Sequence, residues 1–339
     1  MNICFIGNSV SAQKNSYREI LVKLLTDNRA DSIFPINCSL GGIGSLGVSF
    51  FINRMVQEKV VDLCFIETFV ADLNGATPIE YIEPALRGIV SNACLKSARI
   101  IPLMLYRSDA DQIAYTTVLN IYREVFESYG LEVANVYEYV ADQIHKGLIQ
   151  PTDVVYDQVH STANGSLIYA EFILAWLNQH IDKPLTALQL PRQASTLLPV
   201  TGRPFLDHLR SREGQWRLFR KVLPYVVLEQ GSLLEVSTLN AGCIGMVVIA
   251  DSYTGVVHIR YEDKRHSVQI YDAWCYSERL QVVILPYVIP PNSIFWIEAG
   301  SENSARYAPN LRLSDIVQRG QNIKIAQLMT VDPALFKEG

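Results

Sequence analysis

Over its first 180 residues the chain alternates short apolar runs with stretches of helical period, and after about residue 195 the helical stretches stop. That switch limits the fold more than any other feature. Parallel strands need a crossover between them, usually a helix, whereas strands that follow one another without helices pair antiparallel. Apolar runs at 3–6, 33–38, 60–66, 98–106 and 131–136 read as buried strands. Stretches 16–25, 44–60, 78–95, 110–129 and 163–180 read as helices, with one more ending near Lys146, and Gly130 is placed to stop the fourth. The first part is therefore expected to be an α/β unit, a parallel sheet in a three-layer, flavodoxin-like arrangement.

Beyond residue 195 the runs 216–228, 232–239, 245–250, 255–261, 267–271, 280–285, 293–299 and 323–329 are rich in Val, Ile, Tyr and Trp. Gly, Asn, Asp and Pro separate them, as in an antiparallel β-sandwich of the jelly-roll kind. Formal charge supports the division: residues 1–185 carry net −7 and residues 186–339 net +2. The expected domains are 1–185 and 186–339, joined through 184–202 with Pro184, Pro191 and Pro199. With 49% hydrophobic and 19% charged residues, the chain can bury a substantial core.

A net charge of −5 argues against a surface built for nucleic acid. The six cysteines contain no Cys-x-x-Cys pair, which argues against a structural zinc site. Cys4, Cys38 and Cys64 fall in apolar runs and suit a reducing compartment. No basic segment followed by a long apolar stretch opens the chain, and no apolar run is long enough to span a membrane. The expected location is cytoplasmic. His145, His180, His208, His258 and His266 lack metal-ligand spacing and read as surface or packing residues.

The chemistry is concentrated at the ends of strands. Ile3-Cys4-Phe5-Ile6 runs into Gly7-Asn8-Ser9, with a helical pattern from near Asn15. A hydroxyl at the C-terminal end of a parallel strand stands where ligands bind in open α/β sheets. It serves as a nucleophile when a base reaches it, and as a helix cap otherwise. Asp157-Gln158-Val159-His160 offers the base: a tight turn holds the carboxylate against one imidazole nitrogen and aims the other at the serine. A glycine turn, Gly41-Gly42-Ile43-Gly44, follows the second strand and lacks the dinucleotide-binding fingerprint.

In these blocks residues 1–180 resemble the SGNH, or GDSL-type, hydrolase superfamily. The Gly-Asp-Ser block is matched by Gly7-Asn8-Ser9, with Asn in place of Asp. The Asn-and-glycine block is matched by Asn37-Cys38-Ser39-Leu40-Gly41-Gly42, and the Asp-x-x-His block by Asp157 to His160. The resemblance implies Ser9 as nucleophile, His160 as base and Asp157 as its orienter. The backbone N–H groups of Ser9 and Gly42 would line the oxyanion hole. The third block departs: Asp72 fits its aspartate, but Ala71 stands where an oxyanion-donating Asn is usual. Asn74 is the first candidate to compensate and Asn8 the second. Glu67 and Asp72 are candidates to bind substrate, with a structural role as the equal alternative for Glu67.

The resemblance implies a serine-dependent ester hydrolase that removes an acetyl group from a carbohydrate or other small ester. No metal or cofactor is expected. Two alternatives stay open: an O-acetyltransferase of cytoplasmic polysaccharide assembly, with acetyl-CoA as co-substrate, and a non-catalytic carbohydrate-binding protein. Oligomeric state stays open as well. In the later part Trp216, Trp274, Trp296 and Tyr271 either stack on sugar rings or fill the sandwich, with Trp274 carried forward as a substrate contact. Arg210, Arg212, Arg217, Arg220 and Lys221 suit an anionic ligand or a solvated face diluted by Asp207 and Glu213.

Overall fold

The computed structural model describes residues 1–28, 32–55, 61–94, 99–180, 201–204, 213–218, 221–251, 254–270, 278–300 and 322–331. The chain divides into two compact units, Met1–Leu197 and Leu198–Gly339. The expected boundary near residue 185 and the connection over 184–200 lie outside the described residues. So do Arg210, Arg212, Arg220, His208, Tyr271 and Trp274.

The first unit is built on five parallel strands: β1 (Asn2–Gly7), β2 (Phe34–Ser39), β3 (Leu63–Glu67), β4 (Ile100–Met104) and β5 (Ala134–Asn135), in the order β2-β1-β3-β4-β5. The chain begins inside the sheet, steps out to β2, and returns past β1 to β3. Connections therefore diverge between β1 and β3, and in open α/β sheets ligands bind at the C-terminal ends of the strands at such a point. Register fixes what meets there: Gly7 lies opposite Ser39 on one side and Glu67 on the other. The segments after all three strands leave the sheet at one edge.

The helices are α1 (Ser9–Ala12), α2 (Tyr17–Asp27), α3 (Ser45–Met55), α4 (Phe69–Leu73), α5 (Ile79–Cys94), α6 (Gln112–Ser128), α7 (Val136–His145), α8 (Pro151–Val154) and α9 (Ala163–His180). Phe5 and Phe65, opposite one another in register, stack with ring centres 5.0 Å apart. They share a core with Ile3, Leu21 of α2, Val140 of α7 and Ile173 of α9, so these helices cover that sheet face. Helices α3, α5 and α6 pack side by side as a second group. No described helix is long and apolar enough to cross a membrane.

Two local differences from the sequence reading matter for the site. A helix was expected from near Asn15, but the chain turns helical at Ser9 itself. That helix ends at Ala12, the chain turns through Asn15, whose φ of 54° is left-handed, and helix resumes as α2. The third block was read without secondary structure and folds as α4, with Asn74 as its C-cap. Both helices are too short for periodicity to reveal.

The second unit contains, among the described residues, strands and no helix. They are β6 (Thr201–Pro204), β7 (Glu213–Leu218), β8 (Lys221–Glu229), β9 (Leu233–Ser237), β10 (Gly242–Ala250), β11 (Val256–Tyr261), β12 (Lys264–Gln269), β13 (Arg279–Ile289), β14 (Ile294–Ala299) and β15 (Asn322–Val331). One antiparallel sheet has the order β13-β10-β15-β8-β7, with β6 paired to β15, and the other β12-β11-β14-β9. Met246 and Val248 from the first meet Ile259, Phe295 and Ile297 from the second in a shared core. The run expected at 216–228 is two strands, paired with Leu218 opposite Lys221. Trp296 on β14 is half-buried.

Candidate active site

The nucleophile candidate sits on a fixed turn. Asn8 caps α1, its side-chain oxygen accepting the Val10 N–H at 3.1 Å, so the capping role open to Ser9 is taken by its neighbour. Ser9 is half-buried at the first helical position. The glycine turn after β2 lies against it: a Cβ on Gly41 would stand 3.7 Å from the Ser9 Cβ. Leu40 N–H donates to the Gly7 carbonyl at 2.9 Å, and Gly42 has φ 76°, a left-handed conformation that favours glycine.

Asp157 and His160 form a pair. Asp157 Oδ2 lies 2.7 Å from His160 Nδ1, and Asp157 Oδ1 accepts the backbone N–H groups of Val159 and His160, each at 2.7 Å. Because a carboxylate only accepts, Nδ1 carries the proton of the neutral ring, and Nε2 is the nitrogen suited to a base. Burial acts to raise the Asp157 carboxyl, but the Val159 N–H, the His160 ring and the His160 N–H outweigh it and hold it below the ordinary range. The pair stays near solvent, with side chains 23% and 16% exposed.

Two bonds join this turn to the sheet edge. Gln13, one helical turn beyond Ser9, donates its amide to the Ser161 carbonyl at 2.9 Å. Ser108 N–H, just past β4, donates to the Gln158 carbonyl at 2.9 Å. The residue after His160 is thereby tied to the segment that carries Ser9. Sequence reading missed Gln13, although its i+4 spacing from Ser9 was a usable signal.

Three expectations are corrected. Glu67 does not face a pocket. It is completely buried, its Oε1 accepts the Asn8 amide at 3.2 Å, and its Oε2 accepts the Ser11 hydroxyl at 3.3 Å. Burial pushes its carboxyl up to about 7, against the opposing pull of the Val70 and Asn8 N–H groups and the Ser11 and Asn8 side chains. Asp72 is likewise buried: Oδ1 accepts the Ser45 N–H at 2.9 Å and Oδ2 the Tyr122 hydroxyl at 2.5 Å. Burial holds its carboxyl above the ordinary range despite donation from Tyr122, Thr77 and Ser45. A Cβ on Gly44 would run into Asp72 and Thr77, so glycine lets the turn after β2 close on that carboxylate. Asn8 is the third correction. Both ends of its buried amide are engaged, one by Val10 and one by Glu67, so it braces the turn instead of facing an oxyanion.

Asn74 is exposed at the C-cap of α4, on the same edge. Its Oδ1 accepts from Arg107 Nη2 at 3.0 Å, and Arg107 also binds Asp109. Arginine only donates, so the amide is oriented with its NH2 end away from Arg107. Arg107, three residues past β4, was another residue the sequence reading passed over. Among the described residues no cluster of three or more His, Cys, Asp or Glu suits a metal ion.

No protein-family model matches the sequence, and no curated protein matches it. Solved structures do. A two-domain esterase (CEX) active on acetylated mannans superposes with a TM-score of 0.70 at 12% identity, over 98% of this chain and 91% of that one. The form co-crystallised with mannopentaose gives 0.71 at 11% identity, with the same coverage of both chains. The chain has the fold of that two-domain esterase. The α/β unit followed by antiparallel sheets is the fold class expected from the sequence.

Proposed function

We propose that the protein is a serine-dependent ester hydrolase that removes acetyl groups from a carbohydrate. One observation carries this reading: a paired Asp157 and His160, tied through Ser161 and Gln13 to the capped turn that presents Ser9. An esterase of the same fold acts on acetylated mannans, which supports the carbohydrate as the substrate class.

In this mechanism Ser9 Oγ attacks the acetyl carbonyl while His160 Nε2 takes its proton. Asp157 holds the ring in the needed tautomer and stabilises the imidazolium. Negative charge on the carbonyl oxygen is met by the N–H groups of Ser9 and Gly42 and by the Asn74 amide, aimed by Arg107. The C–O bond to the sugar breaks, and the departing oxygen takes the proton from His160. Water then attacks the acetyl-serine by the same route and releases acetate. No cofactor enters any step.

The test is acetate release from acetylated mannooligosaccharides and from simple acetyl esters, by wild type and Ser9→Ala. Release by the wild type that Ser9→Ala lacks is expected. Equal release by both would contradict the assignment of Ser9.

A further inference from the structure

The leaving group fixes where the sugar must lie. In the acyl-transfer step its oxygen receives a proton from His160, so the ring bearing that oxygen stands within a few ångströms of the imidazole. Tyr156 is an aromatic side chain at that place. Its ring centre lies 5.9 Å from that of His160, with the two planes 16° apart. It is 62% exposed, more than any other described aromatic side chain; Phe34, at 60%, sits at the opposite, N-terminal end of β2. A large ring held in water contributes little to the core.

Its backbone is anchored on the same turn as the dyad. Tyr156 N–H donates to the His160 carbonyl at 3.0 Å, and Val155 bridges to Ser161. Ser161 is buried, and its hydroxyl pairs with that of Ser166 at 2.8 Å. The backbone that carries the ring is therefore fixed on the turn that holds Asp157. An exposed aromatic ring, set beside the group that hands a proton to the sugar, suits the apolar face of a pyranose.

We propose that Tyr156 is a binding residue for the sugar ring that carries the departing oxygen, and so selects carbohydrate esters over simple ones. This rests on the esterase reading above. It places the platform in the first unit, whereas the sequence reading looked for it among Trp216, Trp274 and Trp296.

The experiment compares wild type, Tyr156→Ala, Tyr156→Leu and Tyr156→Phe on an acetylated mannooligosaccharide and on vinyl acetate, whose leaving group has no ring to stack. For Ala and Leu, kcat/KM on the oligosaccharide should fall at least tenfold further than on vinyl acetate, chiefly through KM. Phe should restore most of the loss, because stacking needs the ring and not the hydroxyl. Leu serves as the control if Ala disturbs the turn. Equal losses on the two substrates, or an oligosaccharide rate that Ala and Leu leave intact, would overturn the proposal. Wild type without Ser9-dependent turnover of vinyl acetate would instead overturn the esterase reading, and the role of Tyr156 with it.

Discussion

Asp157 and Glu67 both serve the same sheet edge, yet Asp157 is partly exposed and held below the ordinary carboxyl range, while Glu67 is completely buried and pushed up to about 7. The number of hydrogen-bond donors does not separate them. Asp157 has three and Glu67 is met by side chains and backbone alike, so the difference lies in how fully each is removed from water. An acid near solvent keeps its charge and orients an imidazole. An acid in the core gives up easy ionisation and braces the turn above it. Asp72 follows Glu67, buried and raised, and holds the glycine turn through Ser45.

The comparison can be broken most forcefully at Asp157. Asp157→Asn keeps the size of the side chain and loses the charge that sets the His160 tautomer. It should lower kcat by about 10⁴ with the fold intact, as losing the acid of a serine triad does. A drop smaller than tenfold would place Asp157 with Glu67, as a brace. Next in size is Asn74→Ala, expected to lower kcat by about 10² while KM changes little. Unchanged kcat would mean that the oxyanion relies on backbone donors alone.

Glu67→Gln should cost the least rate and shows itself in stability. In the unfolded chain Glu67 ionises near its ordinary 4.5, and in the fold near 7. Between those values the native state holds a proton that the unfolded chain has lost, so stability falls as pH rises through this window and is level above it. The variant has no such titration. Its advantage over wild type should grow by about 3 kcal/mol between pH 4 and pH 8, measured by denaturant unfolding. A pH-independent difference would show that burial does not set the behaviour of Glu67.

Most of the fold was legible because its strands are long apolar runs and its larger helices have clear periods. The Asp157–His160 contact was legible too, since three residues of separation on a tight turn leave few alternatives. The roles of Asn8, Glu67 and Asp72 were not. Whether a carboxylate at a strand end faces solvent or the core depends on contacts such as Glu67 to Ser11, 56 residues away, and Tyr122 to Asp72, 50 residues away. Neither separation leaves a local pattern. Helices α1 and α4, of four and five residues, carry too few apolar positions to show a period.

The central claim is that Ser9 is a nucleophile activated by His160, and a fluorophosphonate tests it directly. Such a reagent phosphonylates an activated serine and stops at the covalent adduct. Intact-mass and peptide mass spectrometry should find one adduct, on Ser9, formed more slowly in Asp157→Asn and lost in His160→Ala. No adduct on Ser9 in the wild type, or one that forms equally fast without His160, would contradict the account.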